Sequence, residues 1–232
     1  TGVPKGVMLT HYNLLANFNQ VCDFIYNTCE NIPESFKMIT VLPMFHVYGL
    51  SSVALSGMRE GANQIILPRF DVLEIMETVK REKPFLFAAV PTMFFALNSQ
   101  PQELAECGFD QIYFVGSGGA PLPVEQAKTF EKITGATLMD GYGLSEASPT
   151  VIFNPPFVPR KYGSIGIPVQ STVARIVCET DEGEFVDVPV GVAGQLIVKG
   201  PQVMKGYWNR PKDTDDAIKD GWLFKKKKKK MD

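Results

Sequence analysis

The chain has 232 residues, room for one large domain or a domain with part of another, and its 45% hydrophobic and 21% charged residues exclude a disordered, collagen-like or disulfide-scaffold polypeptide. Basic and acidic residues number 23 and 25, a net charge of −2, but six lysines form one block at Lys225–Lys230; without them 17 basic residues face 25 acidic ones and the body carries −8. An acidic body excludes broad nucleic-acid binding, which needs basic surface to displace counterions from phosphates. No run of 18 apolar residues offers a transmembrane segment. The four cysteines, Cys22, Cys29, Cys107 and Cys178, lack metal-ligand spacing and read as reduced, packed thiols. With no charged-then-apolar leader the expected compartment is the cytoplasm. The start at Thr1, without an initiator methionine, suggests a piece of a longer protein.

Apolar residues at 14, 15, 18, 21, 22 and 25 predict a helix over 10–26. Met38–Leu42 reads as a strand ended by Pro43, Val47–Met58 as a helix of small and apolar residues, and Gln64–Leu67 as a strand before Pro68. Asp71 and Glu74 match a capping box and open a helix over 72–82. There follow a strand at Phe85–Val90, a short helix at Thr92–Asn98, a strand at Gln111–Val115, a helix at Val124–Ile133 closed by Gly135, and a strand at Thr137–Met139. Strands alternating with helices at this spacing predict an α/β fold, a mostly parallel sheet flanked by helices, with any ligand site at the carboxyl ends of the strands. Past Pro149 the prolines, glycines and short β-branched runs predict a small antiparallel β unit over 150–224, with Asp181-Glu-Gly-Glu184 as a turn. The division expected is therefore 1–149, 150–224, and the lysine block at 225–232 as a tail or sequence artefact.

Four stretches could carry chemistry. Thr1-Gly2-Val-Pro-Lys5-Gly6 joins glycines that free the backbone for a phosphate to a lysine that meets its charge, though a surface turn explains it too. Gly116-Ser-Gly-Gly-Ala120 follows a strand and suits either a ligand-facing loop or a tight turn. Asp140-Gly-Tyr-Gly-Leu-Ser-Glu146 supplies a flat ring, a hydroxyl and a hard oxygen ligand; its bland alternative is a solvated turn. Pro43-Met-Phe-His46-Val-Tyr48-Gly49 sets a histidine among aromatics, a pattern core packing also produces.

Taken in order, and continued by Gly200-Pro-Gln-Val-Met-Lys-Gly-Tyr-Trp-Asn209 and Asp220-Gly-Trp-Leu223, these stretches resemble the AMP-forming adenylation superfamily of acyl-CoA synthetases, luciferases and peptide-synthetase adenylation domains. Within it the chain is most similar to a bacterial-type long-chain fatty-acid CoA ligase. The resemblance spans residues 1–224 and implies an incomplete N-terminal domain of the adenylate-forming fold. It also implies a two-step reaction, carboxylate plus ATP giving acyl-AMP and pyrophosphate, then a thioester with CoA, with Mg²⁺ as metal. By the same resemblance Thr1, Gly2 and Lys5 belong to the triphosphate loop. Gly119 and Ala120 lie along the adenine, Asp140 near its exocyclic amine, and Tyr142 stacks on it with Gly141 beside. Ser145 meets the α-phosphate and Glu146 holds Mg²⁺. His46 stands at the reacting carboxylate, so that His46, Ser145, Glu146 and Lys5 form the catalytic group, while Phe45, Tyr48 and Gly118 line the acyl route. Met93, Phe94 and Phe95 are wall candidates that core packing explains equally well.

The sequence departs from the family where Phe224 runs into Lys225–Lys230, in place of the Thr-Gly-Asp whose carboxylate holds the ribose hydroxyls. Lysine only donates and cannot accept from those hydroxyls. Together with the absent mobile C-terminal domain, this leads us to expect a central fragment, inactive alone and poorly soluble through open sheet edges and unmatched apolar faces. The alternatives are a ligase for another carboxylic acid, aryl or carrier-protein-linked, and a non-catalytic adenine-nucleotide-binding remnant. Partners on any of these readings are small molecules, and peripheral contact with a membrane is compatible with them.

Overall fold

The computed structural model describes residues 3–26, 32–155 and 158–224. Strand β1 (Val7–Met8) leads into helix α1 (His11–Tyr26). Thr10 caps α1: its hydroxyl accepts from the Asn13 N–H at 3.1 Å while Asn13 Oδ1 accepts from the Thr10 N–H at 2.9 Å, a reciprocal box with asparagine in the glutamate's place. Strand β2 (Lys37–Thr40) follows, and residues 48–55, expected as an ordinary helix, wind as a π-helix (Tyr48–Leu55) before tightening into α2 (Ser56–Arg59). The wider winding suits a segment whose Gly49 sits so close to the Pro43 carbonyl that no β-carbon would fit.

Strand β3 (Asn63–Ile66) precedes α3 (Val72–Glu82), where Asp71 accepts from the Glu74 N–H at 3.0 Å and forms its half of the expected box. Next come β4 (Leu86–Ala89), α4 (Pro91–Asn98) and α5 (Pro101–Glu106), each helix with proline at its first position; α5 was not among the sequence expectations. Strand β5 forms at Phe114–Ser117 rather than 111–115, because residues 109–111 close a 3₁₀ turn first. Helix α6 (Val124–Thr134) ends on Gly135, whose left-handed φ of 75° lets its N–H reach Glu131 at 2.8 Å.

Strand β6 (Leu138–Gly143) is longer than expected and contains Asp140-Gly-Tyr-Gly143 itself. Its first half pairs in parallel with β5 and its second half antiparallel with β7 (Thr150–Phe153). With β8 (Ile167–Pro168) the seven-stranded order is β3-β2-β4-β5-β6-β7-β8, parallel from β3 to β6. Successive residues face opposite sides. Ile39, Phe87, Val115 and Leu138 pack against α3–α6 on one side, while Met38, Leu86, Phe114 and Met139 pack against α1 and the π-helix on the other.

The strands from residue 150 on are shared among three sheets: β7 and β8 complete the seven-stranded one, and the rest lie elsewhere. β9 (Val173–Glu179), β10 (Phe185–Asp187), β11 (Gln195–Lys199), β13 (Ile218–Lys219) and β14 (Trp222–Phe224) form a five-stranded antiparallel sheet in the order β10-β9-β11-β14-β13. The turn expected at 181–184 joins β9 and β10, with Gly183 at φ 80°. β12 (Gly206–Tyr207) pairs with β1 instead, and α7 (Pro211–Ala217) lies between them and β13. Among the described residues no helix is long and apolar enough to cross a membrane. Cys22 and Cys107 are buried and free while Cys178 is exposed; Cys29 lies outside the described residues.

Candidate active site

The carboxyl ends of β2, β5 and β6 converge on two cavities that share the wall Ser117, Gly119 and Gly141–Gly143. The smaller, about 250 Å³, is bounded by His46–Tyr48, Gly118, Ser145, Pro149 and Thr150. The larger, about 810 Å³, is bounded by Ala120–Leu122, Asp140, Arg160 and the 163–166 turn, with side chains of β9 and β11 at its far side. A strand rather than a loop divides them because Gly141 and Gly143 let Phe153 and Pro149 press against the backbone where side chains would collide.

On the smaller side His46 Nδ1 accepts the Tyr48 N–H at 3.1 Å, so the neutral ring carries its proton on Nε2. The Tyr48 ring lies over Gly118, where an added β-carbon would stand 3.0 Å from it. Burial, with the Asp140 charge adding, pushes the Tyr48 phenol well above its ordinary range, so it stays a neutral donor. Phe45, expected along the acyl route, stands 95% exposed and lines neither cavity. Phe94 lies in the core between Phe87 and Phe130, edge to face with both, which settles its two readings in favour of packing.

On the larger side Asp140 pairs with Arg160, whose other terminal nitrogen donates to Glu131 at 2.9 Å. Burial raises the Asp140 carboxyl above its ordinary range and the arginine opposes that shift. Asp140 Oδ1 and Ser117 Oγ are buried with no hydrogen-bond partner among the described residues. Buried polar atoms are seldom left so, and an N–H donor entering here would satisfy the carboxylate oxygen. Gly119 and Ala120 present only backbone and a methyl to the same space. Burial, with Glu146 adding, pushes the Tyr142 phenol to about 12.

Glu146 follows Ser145 in the 3₁₀ turn Ser145–Ala147. The Tyr207 hydroxyl donates to Glu146 Oε1 at 2.6 Å, and the Met204 N–H holds the Glu146 carbonyl at 2.9 Å. Lys5 lies 4.7 Å above the Tyr207 ring and pairs with Asp213, so the β1–β12 pairing brings Lys5 and Glu146 to one tyrosine. Thr1 and Gly2 lie outside the described residues. Arg160, Ser117 and Tyr207 were not singled out in the sequence; Ser117 and Tyr207 had a signal, their places in the Gly116–Ala120 and Gly200–Asn209 stretches, while Arg160 had none.

The description "AMP-binding enzyme" belongs to the family whose profile matches residues 1–208. A long-chain-fatty-acid–CoA ligase of Bacillus subtilis is 46% identical over 224 residues, 97% of this chain and 39% of that protein. 4-Coumarate–CoA ligase 5 of rice (Oryza sativa subsp. japonica) is 36% identical over 229 residues, 96% of this chain and 42% of its own length. Among solved structures, ATP-bound MatB from Rhodopseudomonas palustris superposes with a TM-score of 0.86 at 29% identity, over 97% of this chain and 42% of that one. MenE from Bacillus subtilis, an o-succinylbenzoate coenzyme A synthetase in complex with ATP and magnesium ion, gives 0.80 at 28% identity over 97% and 44%. The chain thus spans about two-fifths of the length of the relatives it matches. With the motifs gathered at the strand ends and the profile covering all but the last strands, the chain belongs to the AMP-binding enzyme family.

Proposed function

We propose that this chain carries the adenylation centre of an ATP-dependent acid–thiol ligase whose carboxylate is a long-chain fatty acid. The observation that carries the reading is the pair of cavities divided by Gly141–Gly143, one holding a buried unsatisfied carboxylate oxygen and the other a histidine with its proton on Nε2. The larger cavity takes the adenine, with Asp140 Oδ1 accepting from the exocyclic amine, Tyr142 against its face and Gly119, Ala120 and Gly141 at its edge. The α-phosphate lies at Ser145, on the smaller cavity's side of the dividing strand, and Lys5 meets the triphosphate.

Among the described residues no three acidic, histidine or cysteine side chains gather around a metal. Glu146 would hold Mg²⁺ through a single carboxylate, a common way of binding that ion. When bound, that ion neutralises phosphate charge. The chain's own residues orient the substrates. The fatty-acid carboxylate is ionised at neutral pH and needs no base; one of its oxygens attacks the α-phosphorus in line, the new C–O–P linkage forms, and the bond to the β-phosphate breaks with its electron pair leaving on pyrophosphate. His46 Nε2–H and Ser145 donate to the crowded oxygens around phosphorus, a positioning and charge-stabilising role. CoA is the acceptor in the second step.

A second reading, a smaller carboxylate, is favoured by the 250 Å³ of the His46 side, below the usual size of pockets for drug-sized ligands. Carboxylate-dependent ATP–pyrophosphate exchange decides between them, measured with residues 1–224 exchanged for the matching segment of the Bacillus subtilis relative. Exchange rising with acyl length supports the fatty acid; preference for aryl or short acids transfers the function to the second reading; no exchange from a folded chimera that binds ATP refutes both.

A further inference from the structure

Along α1 the residues Asn13, Asn17 and Gln20 share one face, and all three carboxamides are buried. A packed helix face normally carries apolar groups here, since a buried amide costs stability unless every bond is made. These amides bond to one another and to backbone at Thr150, Gln170, Pro201 and Val203, of which Thr150 borders the site. The Asn17 side chain closes a two-bond ring with Thr150, Nδ2 donating to the Thr150 carbonyl at 2.7 Å and Oδ1 accepting its N–H at 2.9 Å, as a neighbouring strand would. Thr150 lines the smaller cavity and its hydroxyl meets Ser52 at 3.1 Å. Asn13 Nδ2 donates to the carbonyls of Pro201 and Val203 at 2.7 and 3.0 Å.

Between those two anchors lies Gln202, fully buried, whose Nε2 donates to Thr172 Oγ1 at 2.6 Å and whose carbonyl accepts from Ser148 Oγ at 2.8 Å. Gln20 bridges the set by donating to the Gln170 carbonyl at 2.5 Å. The turn carrying Ser145 and Glu146 is therefore tied at its far end to α1, the helix that opens directly after Lys5 and β1.

We propose that Asn17 is a positioning residue, supported by Gln202, that fixes the Ser145–Thr150 turn relative to Lys5 so that Glu146 and Ser145 meet the same triphosphate. The proposal rests on the reading of the site given above. Its test uses this chain with Asn17→Leu, which keeps the branched outline and removes both bonds, beside Thr78→Val, a buried polar residue of α3 that lines neither cavity. Amide hydrogen exchange over 144–151 in the ligand-free protein should quicken about tenfold in Asn17→Leu, with β4 unchanged. ATP titrated with and without Mg²⁺ should show that Asn17→Leu loses about tenfold of the Mg²⁺-dependent tightening while metal-free affinity holds. Thr78→Val should move neither readout.

Unaltered exchange over 144–151, or an increase spread evenly over the whole chain, overturns the proposal, as does equal weakening of both affinities. If the native chain binds no ATP, the reading of the site is what has failed, and the exchange data still decide whether Asn17 holds the turn. Should Asn17→Leu not fold, Gln202→Leu and Asn17→Asp, which keeps the Oδ1 acceptor, take its place with the same expectations.

Discussion

Replacing Arg160 with methionine should produce a pH-dependent loss of stability. The guanidinium is 9% exposed and bridges Asp140 on β6 to Glu131 on α6, whose side chains are 20% and 15% exposed. Methionine retains most of the length and removes the charge, leaving two carboxylates near each other in a poorly solvated corner. Breaking one partner from a buried pair typically costs about 3–5 kcal/mol. The lower end applies here because both carboxylates keep some water, so about 3 kcal/mol is expected at pH 8. With a urea slope of about 2–3 kcal/mol per M, the unfolding midpoint falls by about 1–1.5 M.

The sign with pH follows from Asp140, whose carboxyl burial already raises despite the arginine. Without that opposition it rises further, so the folded state takes up a proton more readily than the unfolded one. Its contribution to stability is then fully present below the unfolded carboxyl value and is lost as pH rises through the raised folded value. Urea titrations of native and Arg160→Met chains at pH 4.5 and 8 should therefore show the larger gap at pH 8. A gap equal at both pH values, or larger in acid, refutes the assignment of Arg160 as the group that opposes the rise of the Asp140 carboxyl.

Five further outcomes follow from contacts elsewhere in the structure. Glu146→Gln should lower acyl-AMP formation by about 100-fold while metal-free ATP affinity stays within about twofold; equal loss in rate and affinity would deny Glu146 its metal role. Gly118→Ala places a methyl 3.0 Å from the Tyr48 ring, and the expected result in the acid panel is a selective loss for the longest acids with the shortest retained. Phe94→Ala should cost about 3–5 kcal/mol in a melt, as a large core deletion does, and leave acid preference unchanged; an altered preference would return Phe94 to the acyl wall. Burial raises the Cys107 thiol to about 11 and Cys22 to about 12, so among the described cysteines Cys178 alone should react with a thiol reagent at pH 8. The stability that Cys107 contributes as a neutral thiol should decline as pH climbs from about 9 towards 11.

The elements with local punctuation were legible in the sequence. α1, α3 and α6 begin or end on Thr10, Asp71 and Gly135, and each cap acts within four residues, where a sequence window can see it. Elements whose form depends on distant partners were not. Asp140–Gly143 reads as a glycine-rich loop, yet pairing first with β5 and then with β7 makes it a strand. Residues 48–55 have a helical composition, and only the contact of Gly49 with Pro43 suits the wider winding.

The candidate site divides in the same way. His46, Gly118, Gly119, Asp140, Tyr142 and Ser145 stand in ordered motifs, and the fold gathers them around two cavities. Arg160 lies in a proline-rich segment with no periodicity, and its importance arises only because it returns to a residue 20 positions earlier. Asn17 is a polar position of a helix marked in the sequence only by its apolar face, and its bonding partner Thr150 lies 133 residues away. Phe45 sits in a motif that matches the family, but its backbone position turns the ring to solvent.

The central claim is that the space beside Asp140 and Ala120 holds an adenine nucleotide, and equilibrium titration of the chain with ATP and AMP, native and Ala120→Trp, tests it most directly. Ala120 is exposed and borders the larger cavity, so the indole should fill that space without touching the core. The account predicts saturable binding by the native chain, weakened at least about tenfold in Ala120→Trp with an unchanged melting temperature. A folded native chain that binds neither nucleotide, or binding indifferent to the tryptophan, would contradict it.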